Sequence, residues 1–358
     1  MTYLSEKKSV AIVGAKSFPN TYGGFESLLE CLLINDDFSG HFSEIVVPVE
    51  RADSIEVASG IRFELLDVEK SKNPFSFYFK SLLRARDVDA VIILGLGAGF
   101  WLPIFRIVWP NKRLVVNVDG LEWRRDKFSL AKRSILFLLA IFNIIFASRL
   151  IFDNSELVSR FPLHWLVSRS KINHIAYSSR FESLMHCDMQ KRNAEKYVLS
   201  IARFVPENNI ELICKAYTDS EVSGRAKLIF VGDVENYGSD LRAQYPKVHF
   251  TGPIYDLQEV YELMRDALCY VHGHTVGGTN PVLVEAIHCN LRIFCHDNAF
   301  NRSTTCNAVE YFTTHLELSN LLTALDVDVP QSGDFCSLYD DRYSGSKIAS
   351  EYRNVALT

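Results

Sequence analysis

Short, unbroken apolar runs alternate along the chain with stretches whose apolar residues recur every three or four positions. SVAIVG (9–14), EIVVPV (44–49), AVIILG (90–95), RLVVNV (113–118) and RLIFDN (149–154) are of the first kind. They are short and rich in β-branched residues, which predicts buried strands. Residues 25–33 and 75–86 carry the helical period between them. The alternation restarts after Cys187 with YVLSIARF (197–204), KLIFVGD (227–233), VHFTG (248–252), ALCYVHG (267–273) and LRIFCHD (291–297), and helix starts are predicted near Pro206, Asp256 and Asn280. Strands that are apolar on both faces and joined by helices predict parallel sheets covered on both sides. The expected fold class is therefore α/β, with two doubly wound Rossmann-like domains facing a cleft. Residues 1–180 form the first domain and 196–340 the second, with the polar stretch 178–196 as linker. A tail over 341–358 carries a last helix at 346–355.

Length agrees: 358 residues suit two domains of about 150 each. The formal charge of −5 offers no global attraction to nucleic acid, so none is expected as a partner. Eight cysteines lie scattered with no CxxC pair, which argues against a disulfide framework or a zinc ribbon and for free buried thiols in a reducing cytoplasm. No signal-peptide core precedes the first strand-like run. SILFLLAIFNIIFA (134–147) is too short to span a bilayer, which takes about 20 residues. It reads first as a buried helix, and its basic flank RRDKFSLAKR (124–133) keeps an interfacial role open.

Two glycine pairs stand at predicted helix entrances. TYGGFESLLE (21–30) follows the first strand of the first half, and TVGGTNPVLVEA (275–286) follows the fourth strand of the second. A helix start after a strand presents free N–H groups and the positive dipole end, and glycine lets a phosphate approach the backbone. Neither stretch is GxGxxG or a P-loop. In the second, Gly277, Gly278 and the Thr279 hydroxyl precede Asn280 as N-cap and Pro281 as first helical residue, with Glu285 one turn in. Tyr22, Gly23, Gly24 and Glu26 form the first. The bland alternative at both places is a well-capped structural helix.

AIVGAKSFPNTYGGFESLLECLL and NVDGLEWRRDKFS resemble the N-terminal domain of a rhamnosyltransferase-like group of bacterial glycosyltransferases. IARFVPENNIELICKAY, IFVGD, FTGPIYD, GGTNPVLVEA and HDNAFNR resemble glycosyltransferase family 4, so the likeness runs over about residues 8–312. It implies a GT-B fold and transfer of a sugar from a nucleotide sugar, with retention of anomeric configuration and no metal or cofactor.

Carried over residue by residue, Glu285 matches the second glutamate of the family's Glu-x7-Glu motif, which holds the ribose. Gly277 stands where the first glutamate belongs. Arg203 matches the diphosphate-binding arginine, and Asn208 occupies the place of the usual lysine. Arg302 is a candidate helper, and His274 a candidate lining of the donor pocket. Asp119 stands where many members have a histidine. With Glu122 it would orient an acceptor hydroxyl or take its proton; the bland alternative is an Asp-Gly turn and a solvated charge. Arg124, Arg125 and Lys127 would meet an acceptor pyrophosphate or form a solvated face.

The Asp87–Asp89 and Asp326–Asp328 pairs read as structural, and His272-x-His274 lacks a third ligand for a metal. The implied partners are a nucleotide-sugar donor, dTDP-L-rhamnose first, and a saccharide or lipid-linked oligosaccharide acceptor of surface-polysaccharide synthesis. The implied location is cytoplasmic, peripheral on the inner face of the membrane. Two rivals stay open, a sugar-nucleotide epimerase of similar build and a non-catalytic nucleotide-sugar-binding protein.

Overall fold

The computed structural model describes residues 7–19, 23–53, 59–118, 120–124, 128–184, 195–234, 240–329 and 332–358. The chain divides into one unit of residues 1–178 with 342–358, and a second of residues 179–341.

Among the described residues the first unit holds a sheet of seven strands: β1 (Ser9–Val13), β2 (Glu44–Val49), β3 (Ile61–Leu65), β4 (Ala90–Leu94), β5 (Arg113–Val118), β6 (Arg149–Phe152) and β7 (Ile172–His174). Their order is β3-β2-β1-β4-β5-β6-β7, every pair parallel. The second unit has β8 (Tyr197–Ile201), β9 (Lys227–Val231), β10 (Val248–Gly252), β11 (Cys269–His272), β12 (Ile293–His296) and β13 (Glu310–Phe312). Its order is β10-β9-β8-β11-β12-β13, again parallel. Each unit thus has the doubly wound order whose direction reverses between its first and fourth strands. The central strands are buried throughout, Val10–Val13 and Ile92–Leu94 in one sheet and Val198–Leu199 and Cys269–Val271 in the other.

The ten predicted strands form. β3, β7 and β13 escape the sequence reading because they are short or lie at sheet edges, where half-exposed residues such as those of IRFEL break the apolar run. Most of the proposed linker, residues 185–194, lies outside the described residues. Ser179 and Arg180 go with the second unit rather than the first. The last helix, Gly345–Leu357, belongs to the first unit, where Ile348, Ala349, Tyr352 and Val355 enter its core. The Tyr352 hydroxyl accepts from the amide of Asn117, a fully buried polar residue on β5.

The apolar segment differs from its expectation. It forms one helix, Leu130–Phe146, capped by the Ser129 hydroxyl, but only Leu139, Ala140, Asn143 and Ile144 are buried along it. Leu130, Ile135, Phe137, Leu138 and Ile145 are exposed, so this is not a core helix. The thiols also differ: Cys31, Cys214, Cys269 and Cys295 are buried, whereas Cys306 and Cys336 are exposed. Among the described residues no helix is long and apolar enough to cross a membrane.

Candidate functional site

Ligands of open α/β sheets bind outside the carboxyl ends of the strands where the order reverses. In the second unit that point lies between β8 and β11, and the loops leaving these two strands are laced together. Asn209 Nδ2 donates to the Gly273 carbonyl at 3.0 Å, and Thr275 donates both N–H and hydroxyl to the Glu207 carbonyl at 2.9 Å. The backbones meet so closely that a β-carbon at Gly273 would lie 2.3 Å from the Asn208 carbonyl oxygen. From the other side, Asn298 and Asn301 each donate from Nδ2 to the His274 carbonyl at 2.9 Å, and both also donate to the His296 carbonyl. The sequence reading missed this asparagine pair. Its one available signal was the position of NAFN directly after a strand.

Arg203 follows β8 with its side chain exposed, and among the described residues no ion pair neutralises it. Its charge reaches His274. Burial, reinforced by Arg203, pushes that imidazole down to about 4, so it is neutral at physiological pH. Asn208, at the lysine position, is buried and turned inward, where Nδ2 donates to the Arg203 carbonyl at 2.8 Å. It shapes the loop that carries the arginine.

The second glycine entrance forms as expected. The Pro281–His288 helix has Asn280 as N-cap, Oδ1 accepting from the Val282 N–H at 3.0 Å. Gly277 is exposed at φ +136°, a conformation reserved for glycine, and open space surrounds it. Gly278 is half-buried and Thr279 buried. Glu285 departs from the expectation of a carboxylate near the mouth. Its side chain has no exposed surface, and Arg180 grips it. Beneath the loop His272 and His274 stack at 4.3 Å between ring centroids. Burial holds His272 far below its ordinary value, with His274 and His296 adding to the effect. Such a pair is held neutral, which suits a packed wall of hydrogen-bonding nitrogens.

In the first unit the corresponding reversal lies between β1 and β4. The Gly24–Ile34 helix starts there, with Gly23 at φ +139° as its N-cap. Glu26 bends back so that Oε1 accepts from the Lys16 N–H at 2.9 Å, and it is buried. That carboxylate serves its own loop and is not presented to an anionic ligand, which corrects its place in a phosphate loop. Lys70, which the sequence reading passed over in a polar stretch, donates to the Gly14 carbonyl at 2.5 Å and sits over the rings of Phe25 and Tyr78. Glu122 and Arg124 lie on the short turn Glu122–Arg124, which Trp123 anchors edge-on against Phe161 at 4.7 Å. Tyr22, Asp119, Arg125 and Lys127 lie outside the described residues.

Two further expectations resolve. Arg302 is no free helper, because it forks onto Asp297 at 2.5 and 2.7 Å. The aspartate pairs are structural: Asp89 accepts from the N–H and hydroxyl of Ser9, Asp87 pairs with Arg86, and Asp328 pairs with Lys196. Among the described residues no three His, Cys, Asp or Glu side chains are grouped to hold a metal ion.

A unit with this strand order, an arginine in no ion pair among the described residues after its first strand and a glycine-led helix after its fourth is of the Rossmann-like class. Residues 185–315 match the family of glycosyl transferases group 1. The whole chain has the fold of GT-B glycosyltransferases. It is similar to the lipopolysaccharide outer core galactosyltransferase WaaB in its apo form, with TM-score 0.62, 12% identity, and 98% and 99% of the two chains covered. WaaG, a glycosyltransferase involved in lipopolysaccharide biosynthesis, superposes with TM-score 0.60 at 13% identity over 96% and 95%. HepE of Anabaena, solved in complex with UDP, gives TM-score 0.59 at 13% identity over 98% and 94%. No curated protein sequence matches the chain.

Proposed function

We propose that the chain is a glycosyltransferase that moves a sugar from a nucleotide sugar to a saccharide acceptor, with retention of configuration and without a metal. The observation that carries the reading is the reversal point of the second unit. An exposed arginine after β8 has no carboxylate partner among the described residues, and the loop laced to it ends in Gly277, Gly278 and the N-terminus of the Pro281–His288 helix. Departure of a nucleoside diphosphate develops negative charge, and fixed N–H groups with a guanidinium stabilise it. Each dipole contact contributes about 0.3–2 kcal/mol, so several must act together. Arg203, the Gly277–Asn280 backbone and Thr279 bind the diphosphate side of the donor, His274 lines its pocket, and Glu285 meets the pentose. Asp119 and Glu122 handle the acceptor hydroxyl, with Arg124 and Arg125 on an acceptor phosphate. dTDP-L-rhamnose is the donor we put first, from the rhamnosyltransferase-like motifs DGLEWRR and GGTNP.

The acceptor in this reading is a lipid-linked oligosaccharide of surface-polysaccharide synthesis, and the protein works at the inner face of the membrane. An asymmetry in the first unit supports contact with an anionic bilayer. Ile104, Ile107, Val108, Leu130, Ile135, Phe137, Leu138, Ile145, Trp165 and Leu166 are all exposed there. Residues 99–171 carry twelve Lys and Arg against five Asp and Glu, a surplus of seven positive charges in a chain of net −5. Apolar groups with a basic surround suit an anionic interface.

A thermal-shift screen against UDP, dTDP, GDP and their sugars tests the donor site. Stabilisation by one nucleotide is expected, and none by any of them would sink the reading. Conversion of a nucleotide sugar without acceptor would instead favour an epimerase. Flotation with phosphatidylglycerol vesicles tests the membrane contact. Binding that weakens in Phe137→Glu and at high salt is expected, and no flotation removes this part.

A further inference from the structure

The Pro281–His288 helix buries a carboxylate that solvent does not reach. Around Glu285 closes a guanidinium fork: Arg180 Nε donates to Oε1 at 2.5 Å and Nη2 to Oε2 at 3.2 Å. Arg180 comes from none of the strands or long helices of its unit. It opens the short turn Arg180–Leu184, and that turn is fastened on two sides. Phe181 is buried edge-on against the rings of Tyr261 at 5.2 Å and His288 at 6.1 Å. Glu182 Oε1 accepts from the Tyr339 hydroxyl at 2.6 Å, and the Tyr339 ring packs on His288 at 4.6 Å. The fork is therefore presented by a segment locked onto the same helix that carries Glu285.

We propose that Arg180 is a positioning residue for Glu285: its fork keeps the buried carboxylate ionised and turned so that the remaining lone pairs accept from the pentose hydroxyls of the nucleotide. The inference rests on the reading of Glu285 as a pentose contact. A carboxylate offers about four lone-pair sites, and a side-on fork occupies one on each oxygen. The rest accept no bond among the described residues, and because solvent does not reach them a pentose must part the packing over Glu285 to meet them. A protonated acid accepts at fewer sites and competes as a donor. Burial alone drives Glu285 toward that neutral form and raises its pKa, while Arg180 pulls it back. The other titratable groups facing it are Tyr270 on β11 and Cys289 just past the helix end. Burial raises both, so neither carries a charge near neutral pH. Arg180 is the cation that pairs with Glu285 among the described residues.

The test is the pH profile of nucleotide affinity, measured by calorimetry on the full chain with UDP and with dTDP between pH 5.5 and 8.5. Wild type, Arg180→Gln, Arg180→Lys and the double variant Arg180→Gln/Glu285→Gln are compared. The wild-type chain is expected to bind one nucleotide and to weaken only at the acid end. Arg180→Gln should bind about ten- to a hundredfold more weakly near neutrality, the range for a hydrogen bond to a charged group. Its acid limb should move to higher pH. Arg180→Lys keeps the charge but not the fork, so its limb should move by less. The double variant should bind weakly with that limb gone. Thermal unfolding checks each fold, and Arg180→Lys reads the shift if the glutamine variant is unstable. A single variant that loses affinity while its limb stays at the wild-type pH overturns the inference and leaves the donor reading standing. A wild-type chain that binds neither nucleotide overturns both.

Discussion

Gly273 is the point at which the two loops of the candidate donor site touch, and Gly273→Ala tests whether they form one site. A β-carbon there would lie 2.3 Å from the Asn208 carbonyl oxygen and 2.8 Å from Ile213 Cδ1. Carbon–oxygen contacts settle near 3.3–3.6 Å, so a shift of about 1 Å is required. The isoleucine methyl can rotate away, but the carbonyl cannot. It belongs to the turn Pro206–Asn208, which is tied by the Asn208 N–H to Val205 and by Thr275 to Glu207. Overpacking of this kind costs about 1–3 kcal/mol. For a unit of this size that lowers Tm by roughly 2–12 °C. The shift also moves the loop carrying Arg203, and a displacement of about 1 Å in a positioned group can cost about a hundredfold in function. Scanning calorimetry with and without UDP or dTDP reads both effects. Gly224→Ala is the internal control, since no atom lies within 4 Å of a β-carbon there. A Gly273→Ala protein with wild-type Tm and wild-type nucleotide affinity would refute the reasoning.

Arg203→Ala should leave Tm within about 1 °C of wild type, because the exposed side chain is in no ion pair among the described residues, yet weaken nucleotide binding at least tenfold by calorimetry. Tyr352→Phe should destabilise the first unit by about 1–3 kcal/mol in urea unfolding, since it leaves the buried Asn117 amide without its hydroxyl partner. His274 and His288 are both held at about 4 by burial, against an ordinary 6.5. The unfolded chain therefore binds protons first, and the stability these groups contribute is full above pH 6.5 and lost as pH falls toward 4. His288→Phe should flatten part of that acid loss in pH-dependent thermal melts.

Much of the architecture is legible in the sequence because a central parallel strand buries both faces. AVIIL is apolar throughout and ALCYV nearly so, and that signal is local. The same holds for the helix entrance at Asn280, where the N-cap and the proline declare themselves by residue type. What escaped is what long-range partners decide. Nothing within a few residues of Arg180 says that it closes on Glu285, 105 positions away. Arg302 looks like a spare cation until Asp297 is seen to fork with it. The Leu130–Phe146 helix misleads in the opposite sense: its composition argues for a core, but burial depends on whether another element covers it, and its first two turns are left uncovered among the described residues.

The two glycine entrances also separate on physical grounds that their likeness conceals. Both stand after a strand beside the reversal point of a sheet, and both place a glycine in a conformation closed to other residues. In the first, the carboxylate one turn in folds back over Gly23 and takes the Lys16 N–H, so negative charge already sits at the positive end of the helix. A phosphate there would meet that charge. In the second, the N-cap is the neutral Asn280, and the glutamate one turn in is neutralised from behind by Arg180. The dipole end and Arg203 then face outward without an opposing carboxylate from Glu285. An anion is accordingly better accommodated at Gly277–Asn280 than at Gly23–Gly24. Glycine at 277 fits the same logic, because a carboxylate at that open position would add negative charge beside the positive end of the helix.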